Sequence, residues 1–208
     1  IMPYFKICLF LLTEDVRELS QFWERELLRS KYPFSWLRVV KEYRKAKKKS
    51  QQNSLFWFWW RLANHMHMSD KYTYKLAAKR LHFRLVSVFN VDVMLGATIG
   101  HCPRIHHFTN ITISKFAVIG ENASIKQGVT IGVKNIDAPN YLLHIGNDID
   151  IGANACIISN NISIGDNVTI GSMCFVNKNI PSNSIIYDKK EHQILQKSCC
   201  SFPHGDQD

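Results

Sequence analysis

Seven of the ten glycines in this 208-residue chain directly follow an isoleucine, and no glycine occurs before Gly96. The Ile-Gly pairs return at six-residue spacing: Ile145-Gly146 and Ile151-Gly152, then Ile164-Gly165 and Ile170-Gly171, with further pairs at Ile99, Ile119 and Ile131. An α-helix needs a period near 3.6 and an ordinary strand a period of 2, so neither accounts for this spacing. A hexapeptide period with one aliphatic and one tiny residue per unit predicts a parallel β-helix. Each unit makes a short strand and a corner, the aliphatic points inward, and the small residue permits the tight turn. Val93, Ile99 and Ile105 hold the phase; two extra residues precede Ile113, after which Ile119, Ile125 and Ile131 resume it. Val133 to His144, with Asp137-Ala-Pro139-Asn140 at its middle, reads as a loop leaving the coil. Ile145, Ile151 and Ile157 follow, and one extra residue in Ser159-Asn-Asn161 shifts the frame to Ile158, Ile164, Ile170 and Val176, with Pro181 expected to end the repeats.

The first ninety residues are of another kind. They carry 18 Lys+Arg against 7 Asp+Glu, whereas residues 91–208 carry 8 against 10. Apolar spacing predicts helices over Glu14–Leu28, capped by Thr13 and broken at Lys31-Tyr-Pro33, over Ser35–Lys49 with a strongly basic tail, from Leu55 onward, and over Lys71–Asn90. Ser50–Ser54 reads as a polar linker, and the helix opening Leu55-Phe-Trp-Phe-Trp-Trp is aromatic nearly all round, which predicts burial against other helices or a neighbouring subunit. The organisation expected is α+β: a helical domain over 1–90, a β-helix over 91–187 and a polar tail over 188–208. Ile7–Leu12 is apolar but has no small-residue cleavage site after it, and no apolar run approaches a membrane span. The six cysteines form no Cys-x-x-Cys pair, which suits a reducing, cytoplasmic setting. The basic, aromatic front is expected to offer peripheral contact with an anionic glycan or lipid surface. No nucleic-acid motif accompanies it.

Titratable residues cluster where the repeat is irregular. The two extra residues after Ile105 bring His106 and His107, and side chains of that type at a break in a rigid β scaffold make a candidate site.

From Val91 to Ile186 the chain resembles the hexapeptide-repeat acyltransferases, in particular the branch holding serine acetyltransferases and exopolysaccharide O-acetyltransferases such as the colanic acid enzyme. The resemblance rests on Val91-Asp92-Val93, Ala97-Thr98-Ile99-Gly100, Ile105-His106-His107, Ala117-Val118-Ile119-Gly120, Gln127-Gly128-Val129-Thr130-Ile131-Gly132, His144-Ile145-Gly146 and Ile151-Gly152-Ala153-Asn154. In the helical part, Trp60-Arg61-Leu62-Ala63-Asn64 is similar to that branch's aromatic-Arg-aliphatic-Ala helix.

The resemblance implies a left-handed β-helix, a homotrimer with sites between subunits, and acetyl-CoA as acetyl donor with no metal. It implies that His107 is the general base on the acceptor hydroxyl and that Asp92 positions the acceptor or the imidazole. His106, Met94 and Phe108 would face the acceptor. Gly132, Ala153 and Ser172 would line the pantetheine groove, with Lys134, Lys178 or Lys190 meeting phosphates. Several positions depart from the serine enzymes: His106 stands for their Asp, Met94 for a His, Phe108 for a Gly, Tyr141-Leu142 for an Arg-His pair, and Tyr187-Asp188-Lys189-Lys190 for a late Gly-Val-Pro-Ala-like segment. The lost polar groups are those that recognise a small charged amino acid, while the His-His pair is what the exopolysaccharide enzymes show. The expected function is acetyl transfer to a sugar hydroxyl of a bacterial capsule, exopolysaccharide or lipopolysaccharide, with serine O-acetylation as the alternative. A zinc enzyme using His101, His106 and His144, and a scaffold without chemistry, are the competing classes.

Overall fold

The computed structural model describes residues 4–28, 34–137, 140–189 and 191. Helices α1 (Tyr4–Thr13), α2 (Arg17–Trp23), α3 (Trp36–Lys48), α4 (Gln52–Met68) and α5 (Tyr72–Phe89) come first, and α2 runs on as a π-helical turn, Glu24–Leu28. A parallel β-solenoid of about five coils follows, giving the expected α+β fold of helices and left-handed β-helix. Its first face stacks β1 (Val91–Val93), β4 (Ile111–Ile113), β7 (Thr130–Gly132), β10 (Cys156–Ile158) and β13 (Phe175–Val176). Its second stacks β2 (Thr98–Ile99), β5 (Ala117–Ile119), β8 (Leu142–Ile145) and β11 (Asn161–Ile164), and its third β3 (Arg104–Ile105), β6 (Ser124–Ile125), β9 (Asp150–Ile151), β12 (Thr169–Ile170) and β14 (Ile185–Ile186).

The register explains the irregular phase. Val93 stacks on Ile113, Ile113 on Ile131, Ile131 on Ile157 and Ile157 on Val176. The nominal coil is eighteen residues, as from Ile113 to Ile131. The first coil gains two residues between Ile105 and Ile111, and the third gains eight in the loop before β8. The inward residues stay in column despite these insertions, because each insertion leaves at a corner. Ile157 is fully buried, as its phase after Ile151 predicts, and the one extra residue expected at Ser159-Asn-Asn161 lies between it and Ile164; Ile158, also placed in the shifted frame, is only partly buried. Pro181 does not end the coil: Ile180 bridges to Ile164 and β14 pairs with β12 beyond it.

Tight stacking leaves no room for side chains at most Ile-Gly corners. A Cβ on Gly120 would lie 2.7 Å from the Gly146 carbonyl carbon, and one on Gly152 2.7 Å from that of Gly171. On the second–third edge, Asn122, Asp148, Asn167 and Asn183 all adopt left-handed φ between 53° and 58°, which short amide and carboxylate side chains tolerate. Asn122 Nδ2 donates to Asp148 Oδ1 at 2.9 Å, and Asn167 Nδ2 to Asn183 Oδ1 at 2.8 Å, so this column is tied laterally as well as by backbone.

The top of a solenoid exposes backbone groups that no earlier coil satisfies. Here α4 satisfies them. Trp60 Nε1 donates to the Val93 carbonyl (2.7 Å), and Asn64 accepts from Gly96 N–H (2.7 Å) while donating to the Ala97 carbonyl (3.1 Å). Arg61 donates to the carbonyls of Ile99 and Gly100, both at 2.6 Å, and Asn53 makes a two-bond pair with the backbone of Ile105 at 2.8 and 2.6 Å. Arg61 is also bidentate to Glu26, at 2.7 and 3.2 Å, and its guanidinium lies 3.9 Å from the Phe22 ring centre. Both partners are almost wholly buried, and Glu26 Oε1 accepts a further bond from Cys102 N–H. The aromatic run of α4 is thereby accounted for: Phe56, Trp57 and Trp60 join the solenoid core, while Leu62, Ala63 and Met66 join the helical one.

The helical boundaries differ from those expected. Ile7–Leu12 lies in α1, whose Ile7 and Phe10 are buried. Thr13 ends that helix, its hydroxyl bonded back to the Leu9 carbonyl, and does not cap the next, which starts at Arg17 after Val16. The third expected helix starts at Gln52, inside the supposed linker, because Asn53 is needed at the coil. Lys31-Tyr-Pro33, Ala138-Pro139, Lys190 and residues 192–208 lie outside the described residues. None of the described helices is long and apolar enough to cross a membrane.

Three stability outcomes are expected. Gly120→Ala should lower unfolding free energy by about 1–3 kcal/mol through overpacking. Gly132→Ala, whose Cβ would meet only Ile158 Cδ1 at 3.6 Å, should stay within about 0.5 kcal/mol of wild type in urea titrations. Arg61→Ala should cost about 3–5 kcal/mol, because it strands the buried Glu26 carboxylate.

Candidate functional site

The two-residue insertion is a built feature. Phe108 turns its ring inward onto Phe56 and Phe89, each 5.6 Å away between ring centres. Thr109 N–H donates to the His107 carbonyl (2.9 Å), the Thr109 carbonyl accepts from Gly128 N–H (3.1 Å), and its hydroxyl accepts from Asn90 Nδ2 (3.2 Å). Asn110 closes the bulge in left-handed conformation, φ 52°. With its neighbours pinned, His107 is thrust outward. Its imidazole is exposed and makes no hydrogen bond or ion pair among the described residues.

His106 is held. Its Nε2 lies 2.9 Å from Ser124 Oγ, and Ser124 Oγ lies 3.0 Å from Asp150 Oδ1. A carboxylate only accepts, so the single hydroxyl proton of Ser124 goes to Asp150, and Ser124 Oγ accepts from His106. That fixes the proton of His106 on Nε2 and leaves Nδ1 as its acceptor. Lys126 Nζ closes the row at 3.3 Å from Asp150 Oδ2.

Asp92 faces outward from β1, beside α5. His82 Nε2 is 3.1 Å from the Val93 carbonyl and 3.2 Å from Asp92 Oδ1. The carbonyl can only accept, so Nε2 carries a proton; it is aligned on the carbonyl, and Asp92 Oδ1 is left buried without a hydrogen bond. The contact with His82 becomes an ion pair whenever that imidazole is charged. Met94 is exposed just beyond, at the edge where the first face turns into the second.

The remaining candidates divide between the two edges of the first face. On the third–first edge, the columns His106–Lys126–Gly152 and Gln127–Asn154 are joined by backbone bonds (His106 N–H to Ile125 carbonyl, Lys126 N–H to Ile151 carbonyl, Asn154 N–H to Gln127 carbonyl). Ala153 and Ser172 stack below on the same edge, where Met173 N–H donates to the Ala153 carbonyl. Gly132, Lys134 and Lys178 occupy the first–second edge with Met94. Lys134 and Asn135 N–H groups both donate to Asn160 Oδ1, at 2.8 and 3.0 Å, which anchors the departing loop. Tyr141 stacks on Phe116, ring centres 4.0 Å apart, and its hydroxyl donates to the Ile136 carbonyl. Lys190 lies outside the described residues.

The three histidines considered for zinc are not gathered. His101 stacks on Phe22 at the second–third edge, with Nδ1 buried and unbonded. Burial, with Arg25 adding to it, depresses its pKa below the ordinary histidine value. His106 is bonded to Ser124, and His144 faces outward from β8. Among the described residues no three His, Cys, Asp or Glu side chains form a metal-ligand set. Sequence reasoning did not find Ser124 and Asp150. Their outward positions in successive coils, one above the other, become visible only once the register is known.

No protein-family model matches the chain. Over 112 residues, 54% of its length, it is 35% identical to serine acetyltransferase 2 of Arabidopsis thaliana, covering 34% of that protein. Over 103 residues, 49% of its length, it is 39% identical to the putative colanic acid biosynthesis acetyltransferase WcaB of Escherichia coli K12, covering 62% of that protein. The matched part is thus about a third of the plant enzyme and under two thirds of the bacterial one. The fold matches the Neisseria gonorrhoeae serine acetyltransferase, solved in complex with serine, with a TM-score of 0.66 and 25% identity over 89% of this chain and 72% of that one. A serine acetyltransferase solved with CoA matches with a TM-score of 0.56 and 26% identity over 64% of this chain and 52% of that one. In sequence over the solenoid and in fold over most of its length, the chain is similar to the hexapeptide-repeat acetyltransferases.

Proposed function

We propose that the chain is an acetyl-CoA-dependent O-acetyltransferase acting on a sugar hydroxyl of a bacterial surface polysaccharide, with His107 as general base. The observation that carries this reading is the pinned bulge, which presents a free imidazole on the same edge as Ala153 and Ser172. An imidazole titrates near neutrality, so one ring nitrogen is available as a base. It takes the acceptor hydroxyl proton as that oxygen attacks the thioester carbonyl. The new C–O bond forms, the C–S bond breaks, and the imidazolium returns its proton to the departing CoA sulfur. A backbone N–H steadies the oxyanion in between.

His106, locked as the Nε2–H form, offers Nδ1 to an acceptor hydroxyl. Asp92 keeps Oδ1 turned in beside His82, and its partly exposed carboxylate offers the other oxygen to a substrate O–H, while Met94 gives that end an apolar rim. Phe108 serves the site from behind, by holding the bulge against α4 and α5. Gly132 supports a cofactor groove in a particular way: packing within the chain does not require glycine there, whereas close approach of a ligand would. Lys134 and Lys178, both exposed on that edge, are suited to CoA phosphates.

The candidates on the two edges are separated by the width of the first face, which supports a homotrimer whose neighbouring subunits bring one edge against the other. A division into a helical part to residue 90 and a β-helical part over 91–187 fits the change from helix to coil at Val91. The exposed Trp36 and Leu37 beside the basic turns of α3 form the surface suited to peripheral contact with an anionic glycan or membrane, in a cytoplasmic enzyme.

Serine acetylation is the second reading, favoured by the likeness to serine acetyltransferases in sequence and fold. Coenzyme A release from acetyl-CoA, measured with deacetylated surface glycan, simple sugars and free serine, separates the two. Glycan-dependent release is expected, with His107→Ala slower by about 10²–10⁴-fold. Saturable release with serine would move the chain to the second reading, and undiminished turnover in His107→Ala would remove the base. Ser124→Ala should lower kcat about two- to tenfold, the worth of one hydrogen bond, with little change in the unfolding midpoint.

A further inference from the structure

A cleft of about 460 Å³ opens between the π-helical turn, the start of α4 and the first coil, its lining ending at Arg104, two residues before His106. Its lining includes Arg25, Glu26, Asn53, Ser54, Trp57 and Arg104. The charges do not cancel. Glu26 is committed to Arg61 and to Cys102 N–H. Arg104 projects outward from β3, and its guanidinium has no partner among the described residues. Among the described residues Arg25 pairs with Glu121, at 3.5 Å between exposed groups, a contact that holds it weakly.

The floor is short of acceptors. Trp57 is almost fully buried, and its indole N–H has no hydrogen-bond partner among the described residues. Ser54 is buried as well, in the first turn of α4. That 17-residue helix starts at Gln52 with no side chain capping its free N–H groups, so its positive end faces the same cleft. Asn53, one residue before Ser54, is spent on Ile105. Two arginines, an uncapped helix start and a buried indole donor without an acceptor all call for the same ligand chemistry.

We propose that this cleft binds an oxyanion group, a carboxylate or a phosphate, held between Arg25 and Arg104 with Ser54 and Trp57 at its base. Arg104 and His106 face outward from the same stretch of chain with Ile105 inward between them, about 7 Å apart at strand spacing. An anionic residue of a longer molecule seated in the cleft would therefore leave the rest of that molecule along the third face toward the bulge. The site stands on its own residues and does not depend on His107 being a base.

The test is calorimetric titration of the full chain with inorganic phosphate and, separately, with glucuronate, using glucose as the uncharged control. Binding of at least one anion is expected, weakened about tenfold by Arg104→Gln and further by Arg25→Gln/Arg104→Gln, as the loss of charge-assisted bonds requires. Affinity for phosphate alone would assign the site to a phosphoryl group, and affinity for glucuronate alone to an acidic sugar. No binding of either anion, or equal binding in the double variant, would overturn the proposal. His107→Ala should bind both anions as the wild type does, so a failure of the catalytic reading leaves this result unchanged. Unfolding midpoints measured for each variant separate a lost site from a lost fold.

Discussion

A β-solenoid has an unsolved problem at its first coil: backbone donors and acceptors that every later coil satisfies have nothing above them. In this protein α4 solves it with side chains. Asn53, Trp60, Arg61 and Asn64 reach the first coil on all three faces, and Arg61 is in turn clamped by Glu26. The spacing of these four residues is helical, so one stripe of one helix covers the whole opening. A buried guanidinium is tolerable here because its carboxylate partner, two carbonyls and the Phe22 face together replace its hydration. Everything below inherits its position from this lid, including the bulge, which leans on Phe56 of the same helix.

The solenoid itself was legible because its rule is local. An Ile-Gly pair every six residues encodes both the inward side chain and the stacked corner, and the register repeats the pattern coil by coil. The insertions were legible as losses of phase, since Ile105 to Ile113 is two residues too long. Where the frame shifts, local reading leaves two neighbours in phase: Ile157 and Ile158 are both aliphatic, and only stacking on Ile131 and Val176 decides between them. Pro181 looked like a terminator, but a corner accepts proline, and the coil continues by a shorter path to Ile180 and Ile186.

Helical boundaries were less accessible. α4 begins at a glutamine and an asparagine that read as linker, because the reason for helix there is tertiary: Asn53 must meet Ile105. The π-helical turn likewise carries no sequence signal, although it places Glu26 under Arg61. The candidate site was half visible. His106 and His107 announced themselves by sitting at an irregularity, while Phe108, expected to face the acceptor, turns inward and is the anchor that holds the loop. Ser124 and Asp150 were invisible because they are eighteen and forty-four residues from His106 and meet it only through the coil.

The lid also fixes an order of events. Contacts in a solenoid run between neighbouring coils, so each coil can be laid only on a finished one. Here the template on which the first coil is laid is a helix that lies before it in the chain and therefore leaves the ribosome earlier. Synthesis and stacking run in the same direction: the helices can collapse around Arg61 and Glu26 first, and every further length of chain finds a completed edge waiting. A solenoid capped from its far end would have to hold its strands unpaired until the last residue was made.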